Sequence, residues 1–454
     1  MKFETELNQL FNQVSENLFS ELKTDEDISL FLSAEDQTYI RFNNSKVRQA
    51  TQVEQHQVNL TYHRNNRTIQ LNCDLSGNSE TDTKLFLSLL NRAREESHYL
   101  PEDPFFVPIV NNGSNISEYT HPHLNIKNTV DYINQNTSGT DFTGFLAAGP
   151  QVQASKNAKG QNHWFSTETF FLDYSLYTVN SNGENKAVKS CYADTEWDSA
   201  EFESQLSFNK NQLSLLKKPS HDIKPGSYKV FLAPAAVSEV AGMFNWGALS
   251  FAALKKGQCA LQKVVEGKIK LSPKFSLTEN FDLGLSPRFN SLGEVSPSQL
   301  NLIENGEIKN MLVSSRTAKE YGVTSNGADI SSWFGEYARC MDIKPGTLDD
   351  HHVLKELGTG IYLANLHYLN WSDVSSARIT GMTRYACFWV EGGEIVAPIK
   401  DLRFDETLTH IFGSGLDNFT NLSHLDLATE SYGSRALGGK KIPGAIINDF
   451  KFTL

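Results

Sequence analysis

The segment Pro234–Lys256 constrains the fold more than any other part of the chain. Tyr228–Ala233 before it is short, β-branched and aromatic, a strand that runs into a helix. Pro234 suits a first helical turn, where its missing N–H costs nothing. Val237, Val240, Ala241, Phe244, Ala248 and Phe251 recur at three- and four-residue spacing, which predicts a helix with one apolar stripe over 234–256. Lys255, Lys256 and Gly257 supply cations and a glycine where such a helix would end. On its residues alone this is a core helix carrying a polar Ser238-Glu239 step.

The chain before it reads as helix, sheet, helix. Leu7, Leu10, Phe11, Val14, Leu18 and Leu22 share one face of a helix over Glu4–Lys23. Four extended runs follow, Ile28–Ser33, Gln37–Phe42, Val47–Leu60 and Thr68–Leu75. Ala34-Glu35-Asp36, Asn43-Asn44 and Asn65-Asn66 are the turn-forming breaks between them. A second helix spans Asp82–Ser97. This predicts a compact α+β domain over residues 1–100 with an antiparallel meander. Residues 101–123 hold Pro101, Pro104, Pro108, Pro122 and Asn111-Asn112-Gly113, and read as a linker.

Residues 124–454 read as a larger, β-rich domain with the central helix inside it, so the fold class is α+β. A helix at Ile126–Gln135 precedes strands at Thr143–Ala154 and Trp164–Val179, a hairpin at Asn182-Gly183, and a helix at Asp198–Lys217. Beyond the central helix, Asn305-Gly306 and Gly392-Gly393 sit between apolar-alternating runs, a hairpin signal. Arg316–Tyr321 is a short helix. Ile361–Leu369 and Ala377–Val390 read as strands, Thr407–Leu416 as a helix, and Ala445–Leu454 as a terminal strand with Phe450 and Phe452 on one face.

Charge and cysteine content narrow the function. Lys and Arg number 41 against 53 Asp and Glu, a net charge of −12. That balance is unsuited to the nucleic-acid backbone, and no local basic patch offsets it. The first residues, Met1-Lys2-Phe3-Glu4-Thr5-Glu6-Leu7, lack the apolar core of a signal peptide. No run approaches the ~18 apolar residues of a membrane span. Cys73, Cys191, Cys259, Cys340 and Cys387 are scattered, with no Cys-x-x-Cys pair. A reduced, cytoplasmic protein is expected.

The chemistry-bearing candidates are few. A zinc peptidase helix carries His-Glu at its start and a second His about one turn later, two imidazoles for the metal and a carboxylate for its water. Here Glu239 stands in the place of that base, but the flanking positions are Ser238 and Met243. A neutral hydroxyl is a poor zinc ligand, and a thioether prefers softer metals. His121-Pro122-His123 and Asp349-Asp350-His351-His352 concentrate donors in predicted loops without a third partner at metal spacing, so solvated loop residues are the better reading. No Gly-x-Ser-x-Gly elbow is present. Gly438-Gly439-Lys440-Lys441 is too short for a phosphate loop and has no following helix.

The order of several motifs carries a resemblance. The central helix, the hairpin Leu302-Ile303-Glu304-Asn305-Gly306-Glu307-Ile308, the run Ile379-Thr380-Gly381-Met382-Thr383-Arg384, and Phe388-Trp389-Val390-Glu391-Gly392-Gly393-Glu394-Ile395-Val396-Ala397-Pro398 together resemble the TldD/PmbA (TldE) family. That family was first described as modulators of DNA gyrase and is read as peptidases. The likeness runs from about Ser138 to the C-terminus and is looser before it. The TldD branch carries His-Glu-x-x-x-His on this helix and a Cys near the C-terminal end as a further zinc ligand. The segment Ser431–Lys440 has no Cys, so the sequence resembles the zinc-less PmbA/TldE branch. The resemblance implies no catalytic or metal residue in this chain, with zinc held only by a TldD-type partner in a heterodimer that admits unfolded peptide. Ser238, Glu239 and Met243 are then degenerate motif positions. Where relatives carry an acidic residue after Thr-Gly, this chain has Met382. Thr380 and Gly381, with Arg378 and Arg384 at even spacing on one strand face, are candidates for a substrate or partner groove; a solvated, ion-paired face is the plainer alternative. The alternative function is a homodimeric binding or scaffold protein without peptidase activity, and a hydrolase using unrecognised groups ranks after it.

Overall fold

The computed structural model describes residues 2–331 and 333–453. Met1, Ser332 and Leu454, the last residue of the expected terminal strand, lie outside the described residues.

Helix α1 (Lys2–Phe19) precedes a meander of β1 (Asp27–Asn43), β2 (Lys46–Arg64) and β3 (Arg67–Asp74), which α2 (Ser79–Glu96) follows. The two hairpins turn on Asn44-Ser45 and Asn65-Asn66, all at positive φ of 49–56°. Two-residue turns need that left-handed pair, and Asn tolerates it best among residues with a side chain. Then come β4 (Ser114–Tyr119), α3 (Ile126–Thr137), β5 (Asp141–Asn157), β6 (Asn162–Val179), β7 (Asn185–Asp194) and α4 (Ser199–Leu215). These strands form one sheet in the order β3-β2-β1-β5-β6-β4, with β7 also paired to β6.

Two sequence expectations fail here. The break at Ala34-Glu35-Asp36 is absent, because β1 is a central strand held by β2 on one side and β5 on the other. Its buried polar Glu35 is satisfied by the Gln55 amide (2.6 Å) and the Arg435 N–H (2.7 Å). Nor do residues 101–123 separate two sheets. β4 lies in that stretch and pairs in parallel with β6, and β5 pairs back to β1 across it. The first sheet therefore spans residues 27–194. Ser-Asn-Ile-Ser-Glu-Tyr, half exposed at an edge, lacks the apolar run that would announce a strand.

This sheet is covered on both faces. Ile28, Leu30 and Leu32 pack with α1 and α2; farther along the same face Phe42, Phe142 and Phe170 pack with α3 and α4. The opposite face carries Gln37, Gln151, Thr167 and Thr169, which are buried as well, since the C-terminal half lies against them. Cover on two sides explains why β6 is buried almost continuously rather than alternately.

The second sheet begins with β8 (Gly226–Leu232), which feeds α5 (Pro234–Gly242). Helices α6 (Phe251–Lys255) and α7 (Gln262–Val265) lead to β9 (Leu277–Asn280), β10 (Gln299–Glu304) and β11 (Glu307–Ile308). After α8 (Ser315–Tyr321), a small hairpin of β12 (Asp329–Ser331) and β13 (Gly335–Tyr337) precedes β14 (Cys340–Ile343) and α9 (Val353–Leu357). The chain finishes with β15 (Gly360–Asp373), β16 (Arg378–Glu391), β17 (Glu394–Pro398), β18 (Arg403–Thr407), β19 (Leu416–Leu427) and β20 (Gly439–Phe452). Neighbours run β11-β10-β9-β14-β20-β18-β16-β15-β8, and β8 pairs back to β20, closing a five-strand ring. Asn305-Gly306 and Gly392-Gly393 turn the β10–β11 and β16–β17 hairpins as expected. Phe450 and Phe452 both point into the core, their ring centres 5.2 Å apart.

The central helix is shorter than its apolar stripe suggests. α5 ends at Gly242, a 3-10 turn covers Met243–Asn245, and α6 starts anew behind Ser250, whose hydroxyl accepts the Ala253 N–H at 3.1 Å. Gly247 makes the break at φ 86°, and a Cβ there would stand 3.3 Å from the Phe334 carbonyl oxygen. The expected helix at Thr407–Leu416 is likewise a single π-type turn, His410–Ser414, because β18 and β19 extend into its ends and Gly413 leaves helical geometry. Within α5, Ala236, Val237, Val240 and Ala241 are buried against β15 and β20.

Candidate functional site

Antiparallel register sets Asp426 of β19 opposite Lys440 of β20. Opposed residues on one sheet face meet side chain to side chain, so a carboxylate and an ammonium form a cross-strand pair. Helix α5 packs on β20 and lays Ser238 on that pair. Lys440 Nζ donates to Ser238 Oγ at 2.9 Å, the Ser238 hydroxyl donates to Asp426 Oδ2, and Nζ lies 3.7 Å from the same carboxylate oxygen. Ser238 is 3 % exposed, while Lys440 and Asp426 keep an edge in solvent. One turn further on, a Cβ at Gly242 would lie 3.9 Å from Nζ, an ordinary packing distance.

The other two motif positions diverge. Glu239 reaches solvent beside the cluster. Its carboxyl is pushed above the usual range, first by the water that surrounding chain removes and further by Asp426 and Glu430, with Lys440 and Lys189 opposing. Met243 is 2 % exposed and belongs to the apolar core with Val240 and Phe244.

The zinc that the resemblance attaches to this helix in the TldD branch does not fit these residues. One position is a hydroxyl already engaged by an ammonium and a carboxylate, and another is a thioether inside the core. Among the described residues no three His, Cys, Asp or Glu side chains converge as a metal requires. Ser238 is also poorly placed as a nucleophile. It is buried mid-helix, and the neighbouring Lys440 ammonium donates to its oxygen.

Between β19 and β20, residues 428–438 cross to the first sheet. Arg435, 4 % exposed, is the anchor. Its Nη1 donates to Gln37 Oε1 (3.0 Å) and the Thr169 carbonyl (2.7 Å), its Nη2 to Thr169 Oγ1 (2.7 Å), and its guanidinium lies 5.1 Å from the Phe171 ring centre. Gln151 Nε2 donates to the Arg435 carbonyl at 2.8 Å. Burial pulls this guanidinium down to about 10. The strap turns into β20 at Gly438 (φ 99°), where a Cβ would meet the Arg339 carbonyl oxygen at 2.7 Å. Sequence reasoning missed Asp426, Lys440 and Arg435. Only the Gly438-Gly439 step hinted at a close approach; the pairing of residues 426 and 440 exists only once strand register is known.

Arg378, Thr380 and Arg384 lie on the outward side of β16, alternating with buried Ile379, Gly381 and Thr383. Thr380 Oγ1 donates to the Phe404 carbonyl (3.1 Å) and accepts from Arg403 Nε (3.3 Å), and Arg384 sits 5.2 Å from the Tyr385 ring centre. A Cβ at Gly381 would stand 2.5 Å from the Phe404 ring. His123 is exposed and pairs with Glu168 at 2.7 Å. Asp349 caps the turn Asp350–His352 by accepting the His351 N–H at 2.8 Å. Buried His163 accepts from the Asn115 N–H and contacts the Gly293 carbonyl at 2.8 Å, a structural arrangement.

The fold is α+β, built on two main sheets, and its central helix carries an ammonium–hydroxyl–carboxylate cluster. The sequence model of the family described as the PmbA/TldA metallopeptidase C-terminal domain matches residues 225–453, half of the chain, and the chain belongs to the PmbA/TldD family. Solved structures share the fold across nearly the whole chain. TldE from Thermococcus kodakarensis superposes with a TM-score of 0.77 at 13 % identity, covering 98 % of this chain and 100 % of that one. A protein from Thermotoga maritima named as a modulator of DNA gyrase gives 0.74 at 15 % identity, covering 99 % and 100 %. A protein of the same description from Bacteroides thetaiotaomicron gives 0.75 at 13 % identity, covering 98 % of each chain. At such identities the likeness concerns the fold. No curated protein sequence matches the chain. Among the described residues no helix is long and apolar enough to cross a membrane.

Proposed function

We propose that this chain is a zinc-less, TldE/PmbA-like subunit of a metallopeptidase complex that processes or degrades unfolded peptides, with the zinc in a TldD-type partner. One observation carries the reading: within a metallopeptidase family fold, the helix position that should present a metal ligand is Ser238, tied to Lys440 and Asp426, and Met243 belongs to the core. The role left to such a subunit is to shape access to the partner's site. An extended peptide joins a sheet edge by main-chain hydrogen bonds. Arg378 and Arg384 on the outward side of β16 are suited to a peptide carboxylate or an acidic group of the partner.

Mixing the chain with a TldD-type zinc subunit tests this. The expected result is cleavage of an unfolded peptide by the mixture at a rate neither chain shows alone, with co-elution of the two. Equal activity of the zinc subunit by itself, together with stable self-association of this chain, would support the homodimeric scaffold instead.

A further inference from the structure

We propose that Lys440 is the resident cation of this centre: its ammonium joins Ser238 of α5 to Asp426 of β19, on the helix where metal-bearing relatives would hold a divalent ion. The centre is then organised by the chain itself and is indifferent to metal.

Three features carry the inference. The first is register. Lys440 faces Asp426 across the β19–β20 ladder and pairs along its other edge with Met341 of β14, so its backbone is fixed from both sides. The tight turn at Gly438 fixes where β20 begins. The ammonium is thus placed by the sheet rather than by a free side-chain choice.

The second is donor and acceptor matching. Ser238 is buried mid-helix, where a hydroxyl needs partners. Its oxygen accepts from Nζ and its hydrogen goes to Asp426, so both of its functions are used.

The third is charge. The Asp426 carboxylate lies against Ser238, with Glu239 the next residue on the helix, and the chain answers with Lys440. A divalent ion bound to Ser238 Oγ would sit at roughly 2 Å from that oxygen. It would then lie within a few ångströms of an ammonium that is itself 2.9 Å from the same atom. Like charges at that range repel strongly in a partly dry site. The two cations exclude one another.

This inference concerns the chain alone and does not depend on the pairing proposed above. Thermal unfolding of the purified single chain tests it, using wild type, Lys440→Met, Asp426→Asn, the double variant and Lys440→Arg, each with chelator and with added zinc, alongside elemental analysis. The expected wild-type midpoint is unmoved by chelator or zinc. Lys440→Met lowers it by about 1–3 °C. Adding Asp426→Asn to Lys440→Met costs little more, because the partner is already gone. Lys440→Arg retains most of the midpoint. Should Lys440→Met fail to fold, Lys440→Arg and Asp426→Asn carry the test through their order of stability. An unchanged midpoint in Lys440→Met, additive losses in the double variant, or a zinc-dependent rise in wild type that Asp426→Asn abolishes would each overturn the proposal. An unchanged midpoint in Lys440→Met or additive losses in the double variant would overturn this inference alone, whereas zinc binding by wild type would also count against the zinc-less reading above.

Discussion

Arg435 grips Thr169 twice, through Nη1 to its carbonyl oxygen and Nη2 to its hydroxyl, each at 2.7 Å. This fastens the strap between β19 and β20 to the far face of the first sheet. The strap ends two residues before Lys440 begins its own bond to α5. One short segment therefore links the N-terminal sheet to the central helix. Removing the guanidinium strands the Gln37 and Thr169 acceptors in a dry interface. Arg435→Met is expected to cost about 3 kcal/mol, read as a lower denaturant midpoint. Arg435→Lys should recover little, because a point charge cannot reproduce the fork.

Acid sensitivity should start elsewhere, at Glu26. Burial alone would push its carboxyl up, but Arg94, the Lys23 N–H and the Tyr62 hydroxyl outweigh it and hold it at about 2. A depressed carboxylate contributes stability that is present above its unfolded value of 4.5 and is lost as pH falls from there through about 2. The shift corresponds to about 3 kcal/mol. Glu26→Gln is expected to lower stability at neutral pH and to flatten the pH dependence between those values, measured by urea unfolding across the series.

Glu336 makes a second buried carboxylate, which caps two helices at once. It accepts from Ser250 and the Ala252 N–H at the start of α6, and from the Ser314 N–H, the Ser314 hydroxyl (3.0 Å) and Thr317 at the start of α8. Burial opposes its charge, yet these donors hold its carboxyl below the usual range. Glu336→Gln keeps the volume but places an amide N–H₂ among donors. A loss of about 2 kcal/mol is expected, with earlier proteolysis around residues 246–260 and 315–337 as the check.

Gly381 sits under the Phe404 ring, where a Cβ would come within 2.5 Å. Gly381→Ala should therefore displace Phe404 and lower the melting midpoint, while Met382→Ala, on the outward side, should leave it nearly unchanged.

Much of the fold was legible because local chemistry agreed with it. The hairpins at Asn65-Asn66, Asn305-Gly306 and Gly392-Gly393 announce themselves through turn residues, and the first turn, expected at Asn43-Asn44, falls one residue later at Asn44-Ser45. What escaped was set at long range. β5 joins β1 across more than a hundred residues, and no local pattern in Ala34-Glu35-Asp36 shows that a second strand will flank it. The apolar stripe ran on past Gly242, while Gly247 and the cap at Ser250 ended α5 and restarted the helix. At the site, Ser238 and Met243 were readable as non-ligands from their chemistry. Lys440 and Asp426 were not, since only strand register brings residue 426 opposite residue 440.

The most direct test of the account is metal content and cleavage of an unfolded peptide by the chain purified alone, with and without chelator. The account expects no stoichiometric zinc and no cleavage, in line with an ammonium tied to Ser238 and Asp426. One zinc per chain with chelator-sensitive cleavage would contradict it.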